Sequence, residues 1–163
     1  MGLDLSMTST GYSVVDNKEN VILSGKIETK KDKFESEDER INYIVDEIKN
    51  IIKKYENKIE LVGIENQFIS SRTATIMVLR KLLGAVCRMV YKECSIKTVY
   101  LAPTTVKKII TGSGRAKKDE VAKYIQENCI DIGEYSDKTG KKKTSDIYDA
   151  IGIAIAVGRE AEC

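Results

Sequence analysis

The chain contains no histidine, no tryptophan and only one proline. Without histidine the protein lacks the commonest general base and the commonest transition-metal ligand, so any chemistry must depend on carboxylates, lysines, hydroxyls or a bound metal ion. Cysteines are few and widely spaced, with no C-x-x-C pair, which argues against a disulfide framework or a zinc site and favours reduced thiols. The four are Cys87, Cys94, Cys129 and Cys163.

Long apolar runs are also missing. No stretch of about 18 apolar residues is present, and no basic segment leads into an apolar one, so the sequence predicts neither a membrane span nor a signal peptide. A length of 163 residues suits one domain with its own core. We therefore expect a single domain over residues 1–163 in a soluble, cytoplasmic protein.

The small net charge of +2 conceals an uneven distribution along the chain. Residues 1–65 carry ten Lys or Arg against fourteen Asp or Glu, whereas residues 66–163 carry seventeen against eleven. A basic excess in one part of a chain is typical of a nucleic-acid-binding face, although solvated helices give similar counts.

Periodicity and turn residues predict a mixed α/β domain. Ser36 followed by Glu39 is a capping-box pattern that begins one of the helices. Residues 131–144 are predicted to be a polar loop. The strands are expected over residues 2–4, 11–16, 21–29, 59–65 and 95–101, and the helices over 36–57, 73–93, 103–110, 117–128 and 145–160. A three-strand meander extended by two parallel strands, with helices on both faces, indicates a five-stranded sheet of RNase H type.

Four carboxylates converge in this topology. Asp4 and Glu65 each end a strand, and adjacent parallel strands present their carboxyl ends at one edge of a sheet. Asp146 and Asp149 lie three residues apart on the last helix and share a face. Oxygen ligands without His or Cys select hard cations, Mg²⁺ or Mn²⁺. Alternatively, Asp146 caps the helix and Glu65 is an exposed loop acid.

Ordered motifs carry a resemblance that covers essentially the whole chain. They are G-L-D-L-S-M-T-S-T-G at 2–11, V-G-I-E-N-Q-F at 62–68, V-K-K-I-I-T-G-S-G-R-A-K-K-D-E-V at 106–121 and S-D-I-Y-D-A-I-G-I-A at 145–154. With them the chain resembles the RuvC family of Holliday junction resolvases, members of the RNase H-like superfamily.

The resemblance implies a homodimeric endonuclease that cuts four-way DNA junctions into products with 5′-phosphate and 3′-hydroxyl ends. It implies that the four carboxylates hold two Mg²⁺ ions, for which Mn²⁺ would substitute, and that Lys107 and Lys118 act near the cleaved backbone. Phe68 matches an aromatic residue that probes the bases at the junction; alternatively it is a core anchor. The dimer contact is expected on helix 73–93, whose apolar residues cover about half its circumference; the alternative is deep burial of that helix within the chain.

One departure concerns the residues after the first Asp. The family usually has Pro and Gly there, whereas this chain has Leu5 and Ser6. This version is closer to phage-type or divergent bacterial members and argues against a partnership with branch-migration proteins. Strand one is also short, with Asp4 only three residues from the start, so we expect either that its edge is weakly held or that the natural start lies upstream.

Phosphate contacts are expected from basic residues of the second part of the chain. They are Arg72, Arg80, Lys107, Lys108, Arg115, Lys117, Lys118, Lys141, Lys142 and Lys143. A solvated loop is an alternative for the run at 141–143. Other open functions are a flap or RNA–DNA hybrid nuclease and a noncatalytic binder of branched DNA. An actin- or Hsp70-like ATPase is disfavoured, because 163 residues cannot hold its second domain.

Overall fold

The computed structural model describes residues 1–55, 58–66, 74–129, 131–135 (backbone only) and 145–161. Six strands and five helices follow in chain order, with a short 3-10 turn at Lys31–Lys33. They are β1 Gly2–Asp4, β2 Ser9–Val15, β3 Val21–Glu28, α1 Glu37–Lys54, β4 Leu61–Glu65, α2 Ala74–Glu93, β5 Lys97–Leu101, α3 Pro103–Thr111, α4 Lys118–Asn128, β6 Asp131–Tyr135 and α5 Ser145–Ala161. No helix of these described segments is long and apolar enough to cross a membrane.

All six strands form one sheet in the order β5-β4-β1-β2-β3-β6. The first three strands make an antiparallel meander, β4 pairs parallel to β1, and β5 pairs parallel to β4. The predicted meander with two added parallel strands is therefore confirmed. Ser36 also begins α1 as expected, since its hydroxyl accepts a hydrogen bond from the Glu39 amide at 3.1 Å.

The prediction of a loop over residues 131–144 was wrong for its first part. Residues 131–135 form β6, which pairs parallel to β3 with Val21 opposite Asp131 and Ser24 opposite Tyr135. The segment D-I-G-E-Y is short and half polar, so it has little strand signal of its own. It becomes a strand because β3 offers an edge with unpaired backbone groups.

Helices cover both faces of the sheet. On one face α1 and α2 enclose a core that includes Leu3, Ile44, Ile64 and Leu82, each fully buried. On the other face α3, α4 and α5 enclose a second core that includes Ile147 and Ile151. Alternate residues of a strand face opposite sides, so Leu3 points into the first core while its neighbours Gly2 and Asp4 face α5.

Glycines let α5 lie unusually close to the strands. A Cβ on Gly2 would lie 2.2 Å from the Ala150 carbonyl oxygen, and one on Gly11 would lie 2.1 Å from the Asp146 carbonyl oxygen. A Cβ on Gly63 would meet a methyl group of Val157 at 2.3 Å. At Gly2 and Gly11 the close neighbour is backbone, so only glycine fits there. The first turn of α5 is thereby pressed against the end of the sheet where β1 and β4 finish.

Candidate active site

Asp4 and Glu65 occupy equivalent ends of neighbouring strands. The parallel register pairs Gly2 with Gly63 and Leu3 with Ile64, so the next residue on each strand is an acid at the carboxyl edge. The β4–β5 pairing extends past Glu65, where the Asn66 amide donates to the Leu101 carbonyl oxygen at 2.7 Å. Both strands thus repeat one pattern, a glycine that admits α5 and, two residues later, a partly buried acid on the same face.

Asp146 and Asp149 approach from the first turns of α5, and each contacts a donor from another element. Ser9 Oγ donates to Asp146 Oδ2 at 2.6 Å, and Lys118 Nζ lies 2.5 Å from Asp149 Oδ2. Both acids are partly buried. The bond from Ser9 turns Asp146 toward the sheet edge, so capping of α5 is not its sole role.

Electrostatics show that the four acids share one region. Burial and, after it, the negative charges of Asp149, Glu65 and Asp146 raise the pKa of Asp4 to about 7, although the charge of Lys118 lowers it. An ordinary aspartate has a pKa near 3.8. Burial and these like charges both disfavour the ionised form of Asp4, and a bound cation would relieve both effects.

The donor set fits a hard divalent cation, because it consists of carboxylate oxygens alone. The acids do not form a closed coordination shell, however: among the described residues, no three His, Cys, Asp or Glu side chains converge tightly enough to hold a metal ion. The ion pair of Lys118 with Asp149 gives a physical reason, since it holds that carboxylate on a cation of the protein itself. A metal ion would compete with the Lys118 ammonium for Asp149.

Lys107 and Lys118 border the same cleft as two of the acids. A cavity of about 120 Å³ is lined by both lysines together with Glu65 and Asp149. Lys107 comes from α3 and Lys118 from the first residue of α4. Hydrogen bonding to Asp149 raises the pKa of Lys118, so the ammonium stays charged. The structure therefore brings six of the sequence-predicted site residues together.

The remaining basic residues are distributed differently. Arg80, Arg115 and Lys117 are exposed, and so is Lys108, which lines a separate groove beside Arg159. Phe68, Arg72 and the lysines at 141–143 were predicted DNA contacts and lie outside the described residues. Their roles remain predictions.

Ser9 is a site residue for which sequence analysis predicted no role. It stands in a turn rich in Ser and Thr, where one hydroxyl is indistinguishable from the next by composition. A weak signal was present in Gly11, two residues later on the same strand face, which implies a close approach by another element.

Comparison with known proteins shows which family this chain resembles in sequence. A family model described as crossover junction endodeoxyribonuclease RuvC matches residues 1–157. Proteins of that name from Fusobacterium nucleatum and Ehrlichia ruminantium (strain Gardel) are 30% and 33% identical to this chain, covering 95% of it and 77% and 92% of their own lengths.

Two solved structures share the fold. Thermus thermophilus RuvC aligns with a TM-score of 0.77 at 23% identity, over 99% of this chain and 93% of its own. The same organism's RuvC in complex with a Holliday junction substrate aligns with a TM-score of 0.79 at 22% identity, over 98% and 92%. The predicted RNase H-like fold is thereby confirmed.

Proposed function

The chain belongs to the crossover junction endodeoxyribonuclease RuvC family, and from this premise we propose that Asp4, Glu65, Asp146 and Asp149 are its catalytic metal ligands. It is accordingly a Holliday junction resolving endonuclease, a hydrolase that acts on DNA and depends on a divalent metal. The observation that carries the proposal is the convergence of four acids from β1, β4 and α5 at one sheet edge, where burial and the charges of Asp149, Glu65 and Asp146 raise the pKa of Asp4 to about 7.

Two Mg²⁺ ions bound to these carboxylates, with Mn²⁺ able to replace them, would activate water and stabilise the leaving 3′-oxygen of a phosphodiester. The fold of the chain serves to position the carboxylates. Asp4 and Glu65 are fixed by strand pairing, and Asp149 is held at the cleft by α5, which packs on the glycines of the sheet. Cleavage would leave 5′-phosphate and 3′-hydroxyl ends.

Lys118 and Lys107 would supply positive charge to the scissile phosphate. In the structure Lys118 is paired with Asp149, yet its side chain is 66% exposed, so it is free to turn toward DNA once a metal ion takes over the carboxylate. Preorganised positive charge beside a phosphate stabilises the charge that develops during hydrolysis.

Binding of the junction would rest on exposed cations, namely Lys108, Arg115 and Lys117 with Arg80 on α2. Phosphate contacts made by Lys and Arg release counterions, so affinity should fall steeply with salt. We also propose a single domain over residues 1–163, which is supported by the two cores that share one sheet. Action on DNA supports a cytoplasmic location.

We also infer a homodimer through α2. Five of the apolar residues of α2 are buried within the chain itself and cannot contact a second copy. Support for a dimer comes instead from exposed apolar residues. Met77, Tyr91 and Tyr100 are 52%, 67% and 47% exposed, and Tyr100 lies on the same surface because its hydroxyl contacts Cys87 Sγ of α2 at 2.8 Å. Apolar residues this exposed suit an interface. The mass in solution, measured by light scattering, tests the dimer.

The experiment that tests the function is cleavage of a mobile four-way junction beside a flap, a fork, a duplex and an RNA–DNA hybrid, with Mg²⁺ and with EDTA. We expect the junction to be cut fastest and only with metal. Asp149→Asn should bind the junction like the wild type and cut it at least about 100-fold more slowly. Full activity of Asp149→Asn, or preference for the hybrid, would contradict the proposal.

A further inference from the structure

Ser9 is the first residue of β2, and its hydroxyl holds an acid that lies 137 residues further along the chain. The bond from Ser9 Oγ to Asp146 Oδ2 measures 2.6 Å and is partly buried. We propose that Ser9 is a positioning residue for metal binding, which orients the Asp146 carboxylate while leaving its charge available to a cation. This inference rests on the proposed role of Asp146 as a ligand.

The turn that presents Ser9 is stiffened by its own hydroxyls. Ser6 Oγ accepts from the amides of Thr8 and Ser9 at 3.2 and 3.4 Å. Thr10 Oγ1 donates to the Ser6 carbonyl oxygen at 2.6 Å and accepts from the Ser6 amide at 3.1 Å. Such local bonds to backbone favour one turn conformation. Ser9 is therefore presented in a defined place shortly after Asp4.

A buried arginine fixes this turn to the rest of the fold. Arg40 is only 8% exposed, and its guanidinium donates to the Met7 carbonyl oxygen at 2.6 Å and to Thr29 Oγ1 at 2.7 Å. The Thr29 amide donates to the Thr8 carbonyl oxygen at 3.0 Å. Hydrogen bonds from a charged donor are stronger than neutral ones, so helix α1 and strand β3 together restrain the turn that carries Ser9.

The chemistry of the two donors at the site separates their roles. Ser9 is neutral and occupies one carboxylate oxygen, so the net charge of Asp146 and the lone pairs of Oδ1 stay open to a cation. Among the described residues, Oδ1 has only a long contact to Ser145 Oγ, at 3.4 Å. The ammonium of Lys118 instead neutralises Asp149. Hydrogen bonds that orient a ligating carboxylate typically change metal affinity by about 10- to 100-fold when removed.

The test is the affinity of the DNA-free protein for Mn²⁺, measured by calorimetry and by the signal of free Mn²⁺ in electron paramagnetic resonance. Ser9→Ala should weaken Mn²⁺ binding by about 10-fold, and Ser9→Thr, which keeps the hydroxyl, should restore most of it. Thr8→Ala is the matched control, because Thr8 Oγ1 lies in the same turn and contacts the hydroxyl of Ser6 instead of a carboxylate. The Mn²⁺ affinity of Thr8→Ala should equal that of the wild type.

The outcomes are distinguishable. If wild-type protein binds no Mn²⁺, the proposed function fails. If it binds Mn²⁺ and folded Ser9→Ala binds equally well, the positioning role alone is overturned. Should Ser9→Ala fail to fold, Ser9→Cys takes its place, since it is nearly isosteric and a weaker donor. Loss of affinity in Thr8→Ala as large as in Ser9→Ala would show that turn stability, and not the bond to Asp146, is what matters.

Discussion

Replacing Asp4 by Asn should abolish cleavage and at the same time stabilise the metal-free protein at alkaline pH. Folding raises the pKa of this carboxyl from 3.8 to about 7, through burial and the charges of Asp149 and Glu65. Between these two values the folded chain binds more protons than the unfolded chain. Stability therefore falls as the pH rises from about 4 to about 7 and is constant above that.

The magnitude follows from the same pKa difference. An ionised Asp4 costs the folded state up to about 4 kcal/mol at pH 8 and less than half as much at pH 5. Asn has nearly the same shape and no charge. We expect Asp4→Asn to raise the free energy of unfolding by about 2 to 4 kcal/mol at pH 8, and by about half of that at pH 5.

The assay is urea unfolding in EDTA at pH 5 and pH 8, repeated at pH 8 with Mg²⁺. Asp16→Asn is a control of opposite sign, because hydrogen bonds from Asn20 hold the pKa of Asp16 below its ordinary value. That variant should lose stability at pH 8. Mg²⁺ should stabilise the wild type more than Asp4→Asn, since it binds the folded site. Equal or lower stability of Asp4→Asn at pH 8 in EDTA would refute the reasoning.

Two further variants test the surroundings of the acids. Lys118→Met removes the ammonium that lies 2.5 Å from Asp149. Calorimetry should therefore show severalfold tighter Mn²⁺ binding, while single-turnover cleavage should slow at least about 10-fold. Weaker Mn²⁺ binding would contradict the idea that lysine and metal compete for this carboxylate. Gly11→Ala would place a Cβ 2.1 Å from the Asp146 carbonyl oxygen, so it should lower stability in urea by about 1 to 3 kcal/mol. Gly84→Ala, on the surface of α2 with open space around it, should not.

Patterns local in sequence predicted most of the fold. The start of α1 at Ser36 depends on Glu39, which lies one turn away, and the structure confirms it. Strand β6 was missed because its stability comes from β3, more than 100 residues away, and not from its own residues. The residues of such an edge strand form too weak a local pattern for the strand to be predicted from sequence.

The candidate site also has features that could be predicted from local sequence and features that could not. Asp4 and Glu65 were predictable because each follows an apolar strand, and their adjacency followed from topology. The contacts of Asp146 and Asp149 could not be predicted, because the bonds from Ser9 and Lys118 join segments that are distant in sequence. The glycine two residues before each strand acid was visible in the sequence, but its meaning depends on knowing that α5 packs there.

The Leu5–Ser6 pair that replaces the family's usual Pro and Gly is best understood through the turn it builds. Leu5 is 7% exposed and belongs to the core under α1 and α2, so it anchors the chain directly after Asp4. The Ser6 hydroxyl accepts hydrogen bonds from the amides of Thr8 and Ser9. A glycine at this position would leave both amides to water. Neither change touches a carboxylate. The departure therefore alters how the turn is held and leaves the four acids in place.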